Sequence, residues 1–159
     1  MLLEGSCQCG KVRFTVESDT PLPYQFCFCS ICRKVSGAPT CNIMGKRETL
    51  EIIGARFLRR YHARIHKPGR KTQLTEGWRV FCGKCGTHLW LVDDRWPKGI
   101  WPNAAVIDTE LPVPPAHVFL MTRYRPKWVP WPHVQHAEKF EEYPKLSIAE
   151  WHARRKLHG

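Results

Sequence analysis

The sequence predicts a mainly β fold built from short strands and frequent turns. Residues 11–17, KVRFTVE, alternate between apolar and charged side chains, which is typical of a strand with one buried face. Proline and glycine interrupt the chain at short intervals, as they do in many β folds. The sequence shows no regular alternation of strands with helices, and this argues against a doubly wound α/β fold.

Local patterns predict the other elements in order along the chain. Residues 20–23, TPLP, indicate a loop. A short helical turn is expected after Cys29 and should end at Gly37, because glycine readily adopts the left-handed conformation that ends helices. Residues 66–69, HKPG, indicate a turn. Further strands are predicted at residues 49–53, 56–61, 73–81, 88–92, 100–107 and 117–122.

The last part of the chain is predicted to be irregular apart from one helix. Residues 125–144 contain four prolines among aromatic side chains. Ser147 and Glu150 have the spacing of a capping box, which predicts a short basic helix over about 148–157. We expect residues 1–159 to form one domain, with a core at about 4–130 and a tail at 131–159 that carries this helix.

Composition narrows the classes of function. The chain has 159 residues and a formal net charge of +11, which favours anionic partners such as nucleic acid, an acidic membrane surface or a carboxylate-bearing substrate. No apolar run is long enough to cross a bilayer, so no membrane segment is expected. The beginning of the chain, MLLEGSCQCG, lacks the features of a signal peptide. We therefore expect a cytoplasmic protein whose closely spaced cysteines serve metal or redox chemistry rather than form disulfides.

Four of the cysteines form two closely spaced pairs. Cys82 and Cys85 lie in CGKCG, and the glycines permit the tight turn that lets two thiolates bind one metal ion. Cys7 and Cys9, also flanked by glycines, could complete a tetrahedral site, for which zinc is the default metal. A redox C-x-x-C pair is the alternative, but that motif normally accompanies a βαβ unit, which the sequence does not predict.

Three further cysteines, Cys27, Cys29 and Cys32, form a triplet without an evident fourth ligand. Cys41 is the nearest candidate. If Cys41 completes the site, the metal ion is structural. If Cys41 is a buried apolar residue, the site is open and suited to hold an external thiol as a thiolate, which is a nucleophile for a carbonyl carbon.

The motifs GSCQCGKVRFTV, CFCSICRKVSGAP and FCGKCGTHLW, in this order, resemble the glutathione-dependent formaldehyde-activating enzyme family. The segment PAHVFLMTRYRPKW is also similar to that family, so the resemblance spans about residues 4–130. It implies an Mss4-like fold, mainly β, with two zinc sites. The structural zinc would be held by Cys7, Cys9, Cys82 and Cys85, and the catalytic zinc, expected to be the more labile, by Cys27, Cys29 and Cys32.

The resemblance also implies a carbon–sulfur lyase that condenses glutathione with formaldehyde to S-hydroxymethylglutathione. Phe28 departs from the family, which usually has histidine there, and we expect a more apolar pocket that fits a larger aldehyde. Arg33 and Lys34 could pair with the carboxylates of glutathione, or could lie on a solvated helical turn. His88 could face the cleft or be a core histidine. The expected partners are a small thiol and an aldehyde.

Two alternatives remain open at the level of sequence. The first is a non-catalytic module with two structural zinc ions, Cys41 as a ligand and a basic surface for nucleic acid. Its densest basic run is RFLRRYHARIHKPGRK at residues 56–71, but this spacing better fits a charged hairpin exposed to water, so nucleic acid is the less favoured partner. The second is a redox sensor, in which the triplet releases zinc on oxidation and forms a disulfide.

Overall fold

The computed structural model describes residues 1–66 and 69–157. Within these ranges the two α-helices are α1 (Ser30–Ser36) and α2 (Ile148–Arg154). The strands are β1 (Leu2–Ser6), β2 (Arg13–Glu17), β3 (Gln25–Cys27), β4 (Thr40–Asn42), β5 (Gly45–Lys46), β6 (Glu51–Ile53), β7 (Leu58–Ile65), β8 (Gln73–Cys82), β9 (His88–Val92), β10 (Gly99–Pro102), β11 (His117–Leu120) and β12 (Ala137–Lys139). The prediction of a mainly β fold with short helical turns and a helix near its end is confirmed.

The described strands form three sheets. Their orders are β1-β2-β6, β5-β10-β9-β8-β7 and β12-β11-β3-β4. All pairs in the first two sheets are antiparallel. In the third sheet β11 runs parallel to β3 and to β12, whereas β3 and β4 are antiparallel. None of the described helices is long and apolar enough to cross a membrane.

Strand β2 shows how side-chain alternation positions the core. Phe14 and Val16 are buried, while Arg13 and Glu17 are exposed, as the sequence predicts. Gly5 of β1 lies opposite Phe14, and a Cβ atom at Gly5 would come within 2.4 Å of the Phe14 ring. The close approach of β1 to β2 therefore depends on the absence of a side chain at this position.

The buried apolar residues form two clusters. The larger one joins residues from all three sheets and includes Trp151 of α2, so this helix packs on the same core as the N-terminal strands. The smaller cluster consists of Phe28, Phe119 and Val129, with Trp131 packed against it. Through these contacts, segments that the sequence assigns to a tail are part of the packed structure.

Several predicted strands are shorter than expected because 3-10 turns replace their ends. The strand predicted at 100–107 ends at Pro102, and the 3-10 turn Ala104–Val106 follows, with the Asn103 side chain accepting a hydrogen bond from the Ala105 N–H. Similarly, the strands predicted at 49–53 and 117–122 are reduced to β6 and β11 beside the 3-10 turns Arg47–Thr49 and Thr122–Tyr124. The strand predicted at 56–61 begins later, after the 3-10 turn Ala55–Phe57, but β7 extends further, to Ile65.

The region at 125–144 is not wholly irregular, contrary to the prediction. It contains β12, which pairs with the open edge of β11. The capping box at Ser147 and Glu150 is present, but the helix ends at Arg154 rather than near 157. The turn predicted at 66–69 includes Lys67 and Pro68, which lie outside the described residues.

Candidate metal centres

The first cysteine cluster ties the beginning of the chain to the turn between β8 and β9. Cys7 and Cys9 follow β1, whereas Cys82 ends β8 and Cys85 lies in the turn. Their four Sγ atoms lie within 4.8 Å of one another. The Sγ of Cys9 is 3.6 Å from that of Cys7 and 3.9 Å from that of Cys82. The fold thus brings together two sulfur pairs that are far apart in sequence.

Each pair lies on a tight turn that a glycine makes possible. Gly10 and Gly86 have φ values of 69° and 75°, and their N–H groups donate to the carbonyls of Cys7 and Cys82. The Val12 N–H donates to Cys7 Sγ at 3.2 Å. Hydrogen bonds of this kind stabilise a thiolate and orient it as a metal ligand.

The four-sulfur cluster fits a zinc ion in its chemistry and its spacing. The hydroxyl of Thr87, 3.1 Å from Cys85 Sγ, contributes most to lowering the pKa of Cys85 to about 6, and metal ligation requires thiolates. The sulfur separations are far longer than a disulfide bond of about 2.05 Å. They are close to the edge of about 3.8 Å expected for a tetrahedron with Zn–S bonds of about 2.3 Å. The cluster is compatible with a closed structural zinc site.

The second cluster lies where β3 joins α1. Cys27 ends β3, Cys29 is the N-cap of α1 and Cys32 lies in the first turn of the helix. Their three Sγ atoms are within 4.8 Å of one another, and the Cys32 N–H donates to Cys29 Sγ at 3.3 Å. The neighbouring thiols of Cys27 and Cys32 lower the pKa of Cys29 to about 2, while proximity to Cys29 and Cys32 raises the pKa of Cys27. This cluster could also hold a metal ion.

Cys41 does not belong to either cluster. It lies in β4 opposite Phe26, whereas Cys27 lies opposite Thr40. Because neighbouring residues of a strand point to opposite faces, the side chain of Cys41 is on the other face of the sheet from that of Cys27. Burial raises the pKa of Cys41 to about 12, as expected for a protonated core thiol. Among the residues that the structure describes, the triplet therefore has three ligands and no fourth from the chain.

Arg79 of β8 is a charged side chain beside the triplet that the sequence analysis missed. Its side chain is buried, and its Nη1 atom has no hydrogen-bond partner among the described residues. The neighbouring thiols of Cys27 and Cys29 dominate the pKa of Cys32, and the positive charge of Arg79 pulls that pKa down. The feature of the sequence that could have identified Arg79 is its position inside a predicted strand between Trp78 and Val80, where a charged residue is unusual.

His88 is buried at the start of β9 and contacts the helix that carries the triplet. Its Nδ1 lies 2.8 Å from the Ser36 hydroxyl of α1, and its Nε2 is buried without a partner among the described residues. Burial, reinforced by the charge of Arg79, lowers the pKa of His88 to about 4. The imidazole is therefore neutral near pH 7, and only one of its two ring nitrogens has a hydrogen-bond partner among the described residues.

Tyr143 is a second residue that the sequence did not single out. Its side chain is exposed by surface area, yet many protein atoms surround its hydroxyl. Burial of the hydroxyl, followed by the negative charges of Cys27, Cys29 and Cys32, raises the pKa of Tyr143. The phenol is thus close enough to the triplet to respond to its charge, and it stays protonated at neutral pH.

The remaining candidates occupy different environments. Arg33 is half-buried on α1, with its Nε buried and unpaired among the described residues, and Lys34 is exposed. Phe28 is completely buried, with its ring centroid 5.9 Å from that of Phe119 and 5.4 Å from that of Trp131. Phe28 therefore packs within the small apolar cluster, and the expectation that it makes the pocket more apolar is not supported.

The chain is similar to known proteins in sequence and in fold. The family model described as glutathione-dependent formaldehyde-activating enzyme matches residues 2–122. A protein from Halomonas elongata, provisionally named as such an enzyme, is 44% identical over 156 residues, which cover 97% of this chain and 96% of that protein. A crystal structure of a protein from Rhodobacter sphaeroides matches with a TM-score of 0.50 and 23% identity, over 69% of this chain and 91% of that one, and supports the fold alone.

Proposed function

This chain belongs to the glutathione-dependent formaldehyde-activating enzyme family, and from that premise we propose that it joins a thiol to an aldehyde. The thiol is glutathione or a close relative, and formaldehyde is the aldehyde for which the family is named. The product is an S-hydroxyalkyl thioether, and the reverse reaction cleaves a carbon–sulfur bond, as in a lyase. The observation that carries this proposal is the triplet of cysteines with no fourth ligand from the described chain.

The two clusters would hold metal ions with different roles. We assign a structural zinc to Cys7, Cys9, Cys82 and Cys85, and a catalytic zinc to Cys27, Cys29 and Cys32. A catalytic zinc ion in the triplet would supply the positive charge that keeps a coordinated thiol deprotonated near neutral pH. The closed cluster has no place for a substrate sulfur, whereas the triplet does.

Other side chains would bind the substrates and move protons. Arg33 and Lys34 extend from the helix that carries Cys29 and Cys32, and they would pair with the carboxylates of glutathione. Tyr143, which stays protonated, would give a proton to the aldehyde oxygen as the carbon–sulfur bond forms. His88, neutral and bonded to Ser36, would hold α1 against β9.

A direct measurement tests this function. Glutathione and formaldehyde also combine without a catalyst, and their approach to equilibrium can be followed through the proton signals of the adduct methylene group. We expect the zinc-loaded protein to accelerate this approach, Cys29→Ser to abolish the acceleration and Cys41→Ser to preserve it. In the cobalt-loaded protein, glutathione should alter the cobalt–thiolate absorption. Absence of acceleration with a panel of thiols and aldehydes would refute the proposal.

The alternative binding module is less well supported. It requires Cys41 as the fourth ligand of the second metal ion, but the β3–β4 register directs Cys41 away from Cys27. We therefore favour small-molecule partners over nucleic acid. We expect the protein to act in the cytoplasm, where glutathione is present and thiols stay reduced.

A further inference from the structure

We propose that Arg79 is a catalytic residue that binds the negatively charged oxygen formed when the thiol sulfur attacks the aldehyde. This inference rests on the proposed function and deepens it, because it names a donor for the charge that develops in the reaction. The structure supports it through three properties of Arg79: its burial, its unpaired Nη1 and its position on the face of the sheet that contacts α1.

Burial makes the unpaired guanidinium unusual. The Arg79 residue is only 8% exposed, and its Nη1 has essentially no contact with solvent. A buried charge without partners costs several kcal/mol, so such groups normally pair with an anion. The buried carboxylate of Asp93 hydrogen-bonds Arg95 at 3.0 and 2.7 Å, and it interacts with the charge of Arg79 without a hydrogen bond. The Nη1 donor of Arg79 therefore remains available for an anion that is not part of the described chain.

The strand register places Arg79 on the same face as the helix of the triplet. Arg79 and Phe81 are two residues apart on β8 and share a face. Phe81 pairs with His88, and the irregularity between Val80 and Phe81 turns the His88 side chain to that face. His88 then contacts Ser36 of α1 at 2.8 Å.

The sulfur atoms therefore lie on the side of the sheet from which Arg79 projects. The charge of Arg79 acts on His88 and Tyr143, which agrees with this placement. The triplet thus has a buried cation on the sheet side, and the phenol of Tyr143 also lies near it. An aldehyde carbonyl held next to the attacking sulfur would have its oxygen within the reach of one or both groups.

The reaction step balances without another reagent. The electron pair of the thiolate sulfur forms the new C–S bond, and the π pair of the C=O bond moves to oxygen. The Nη1–H of Arg79 donates a hydrogen bond to this oxygen as its charge grows. Tyr143 gives its proton to this oxygen, and the proton that the thiol lost on binding returns to the phenol, so the adduct is neutral. A preorganised donor in a dry site lowers such a barrier substantially, typically by 10²- to 10³-fold in rate per donor.

A purely electrostatic role for Arg79 would predict a different outcome. The arginine would then only balance the negative charge of the cysteines, and any cation at this position would suffice. Arg79→Lys separates the two roles, because lysine retains the charge but has a shorter reach and lacks the planar fork of donors. Arg79→Gln removes the charge and retains a polar side chain. Arg64→Gln is the matched control, since Arg64 is an exposed residue of the neighbouring strand β7.

The test measures kcat and KM for glutathione with formaldehyde, metal content, and the response of the cobalt-loaded protein to glutathione. We expect kcat to fall on the order of 10²-fold in Arg79→Gln and at least tenfold in Arg79→Lys, with KM for glutathione and the cobalt response changed by less than about threefold. Arg64→Gln should behave as the wild type. If Arg79→Gln fails to fold or to retain metal, the kcat of Arg79→Lys decides between oxyanion binding and charge balance.

The outcomes distinguish this inference from the proposed function itself. If the wild-type protein does not accelerate the reaction, the proposed function fails and the role of Arg79 fails with it. If the wild type is active and Arg79→Lys retains its full kcat, the function stands and the inference is overturned in favour of charge balance. The same conclusion follows if Arg79→Gln loses metal or thiol affinity by more than tenfold while kcat is unchanged.

Discussion

Cys41 lies directly opposite Phe26 in the antiparallel pair of β3 and β4, one position away from the pair formed by Cys27 and Thr40. This register determines which sulfur atoms can meet. Thr40 shares a face with Cys27, and its hydroxyl donates to the backbone carbonyls of Cys32 and Gly37. The position beside the triplet that a fourth cysteine would need is thus occupied by a threonine that holds the end of α1.

The register predicts that Cys41→Ser retains both metal sites. Serine is close to cysteine in size, and the side chain at position 41 does not point towards the triplet. We expect two zinc ions per chain in this variant, measured by mass spectrometry of the metal content. Cys32→Ser is the control and should retain only one tightly bound ion. Loss of one zinc ion from Cys41→Ser would mean that the chain itself closes the second site.

The two clusters should differ in their effect on stability. Cys82→Ser would remove a ligand of the proposed structural zinc, whose cluster ties β1 to the β8–β9 turn, and a structural zinc site contributes on the order of 10 kcal/mol to folding. We expect this variant to be unfolded or to melt far below the wild type in thermal unfolding. Cys29→Ser should stay folded, because α1 is also held through Ser36 and His88. Equal melting temperatures for the two variants would contradict these roles.

The sequence predicts the elements that carry their own local signals. Strand β8 is ten residues long, β9 is a nearly continuous apolar run, α1 ends at a glycine with φ of 95°, and α2 begins with a capping box. By contrast, β3, β4 and β12 are three residues each, and they exist because β11 and β3 offer partners far away in sequence. Such short strands have no periodicity to detect, so the third sheet was not predicted.

The candidate site likewise contains residues that a local sequence signal identifies and residues that it does not. The spacing of the cysteines groups them correctly into four and three, because two cysteines on one turn must point to the same place. The side chains around the triplet are different: Arg79 and Tyr143 reach it from positions 47 and 111 residues beyond Cys32, and neither belongs to a spacing motif. Their placement depends on sheet register and on the path of the segment after β12, which only the structure supplies.

Phe28 offers a prediction about the packing of the small apolar cluster. The ring is fully buried against Phe119 and Trp131. Phe28→His would place polar nitrogen atoms in an apolar cluster, and an unpaired buried polar group costs about 1–3 kcal/mol in addition to the lost packing. We expect a lower free energy of unfolding in urea. Phe28→Leu, which keeps the site apolar, should lose less, and equal losses would argue that volume alone matters.

Tyr143 is predicted to contribute to catalysis through its hydroxyl group. The raised pKa keeps the phenol protonated at neutral pH, as a proton donor to the aldehyde oxygen requires. Tyr143→Phe should reduce kcat on the order of 10²-fold while leaving metal content and melting temperature unchanged. Tyr124→Phe is the matched control, since Tyr124 is also exposed and should have no effect. Full activity of Tyr143→Phe would exclude this role.

His88 predicts how stability changes with pH. Burial and the charge of Arg79 lower the pKa of His88 from 6.5 to about 4. Between these two pH values His88 is therefore protonated in the unfolded chain but neutral in the folded protein. The free energy of unfolding should therefore be highest above pH 6.5 and fall as the pH approaches 4, by about 1.4 kcal/mol at pH 5.5. His88→Gln lacks this ionisation and provides the reference, because acid weakens metal binding in both proteins. Urea unfolding of the two at pH 7.5 and 5.5 should show the extra loss only in the wild type, and parallel losses would mean that His88 is readily protonated in the folded state.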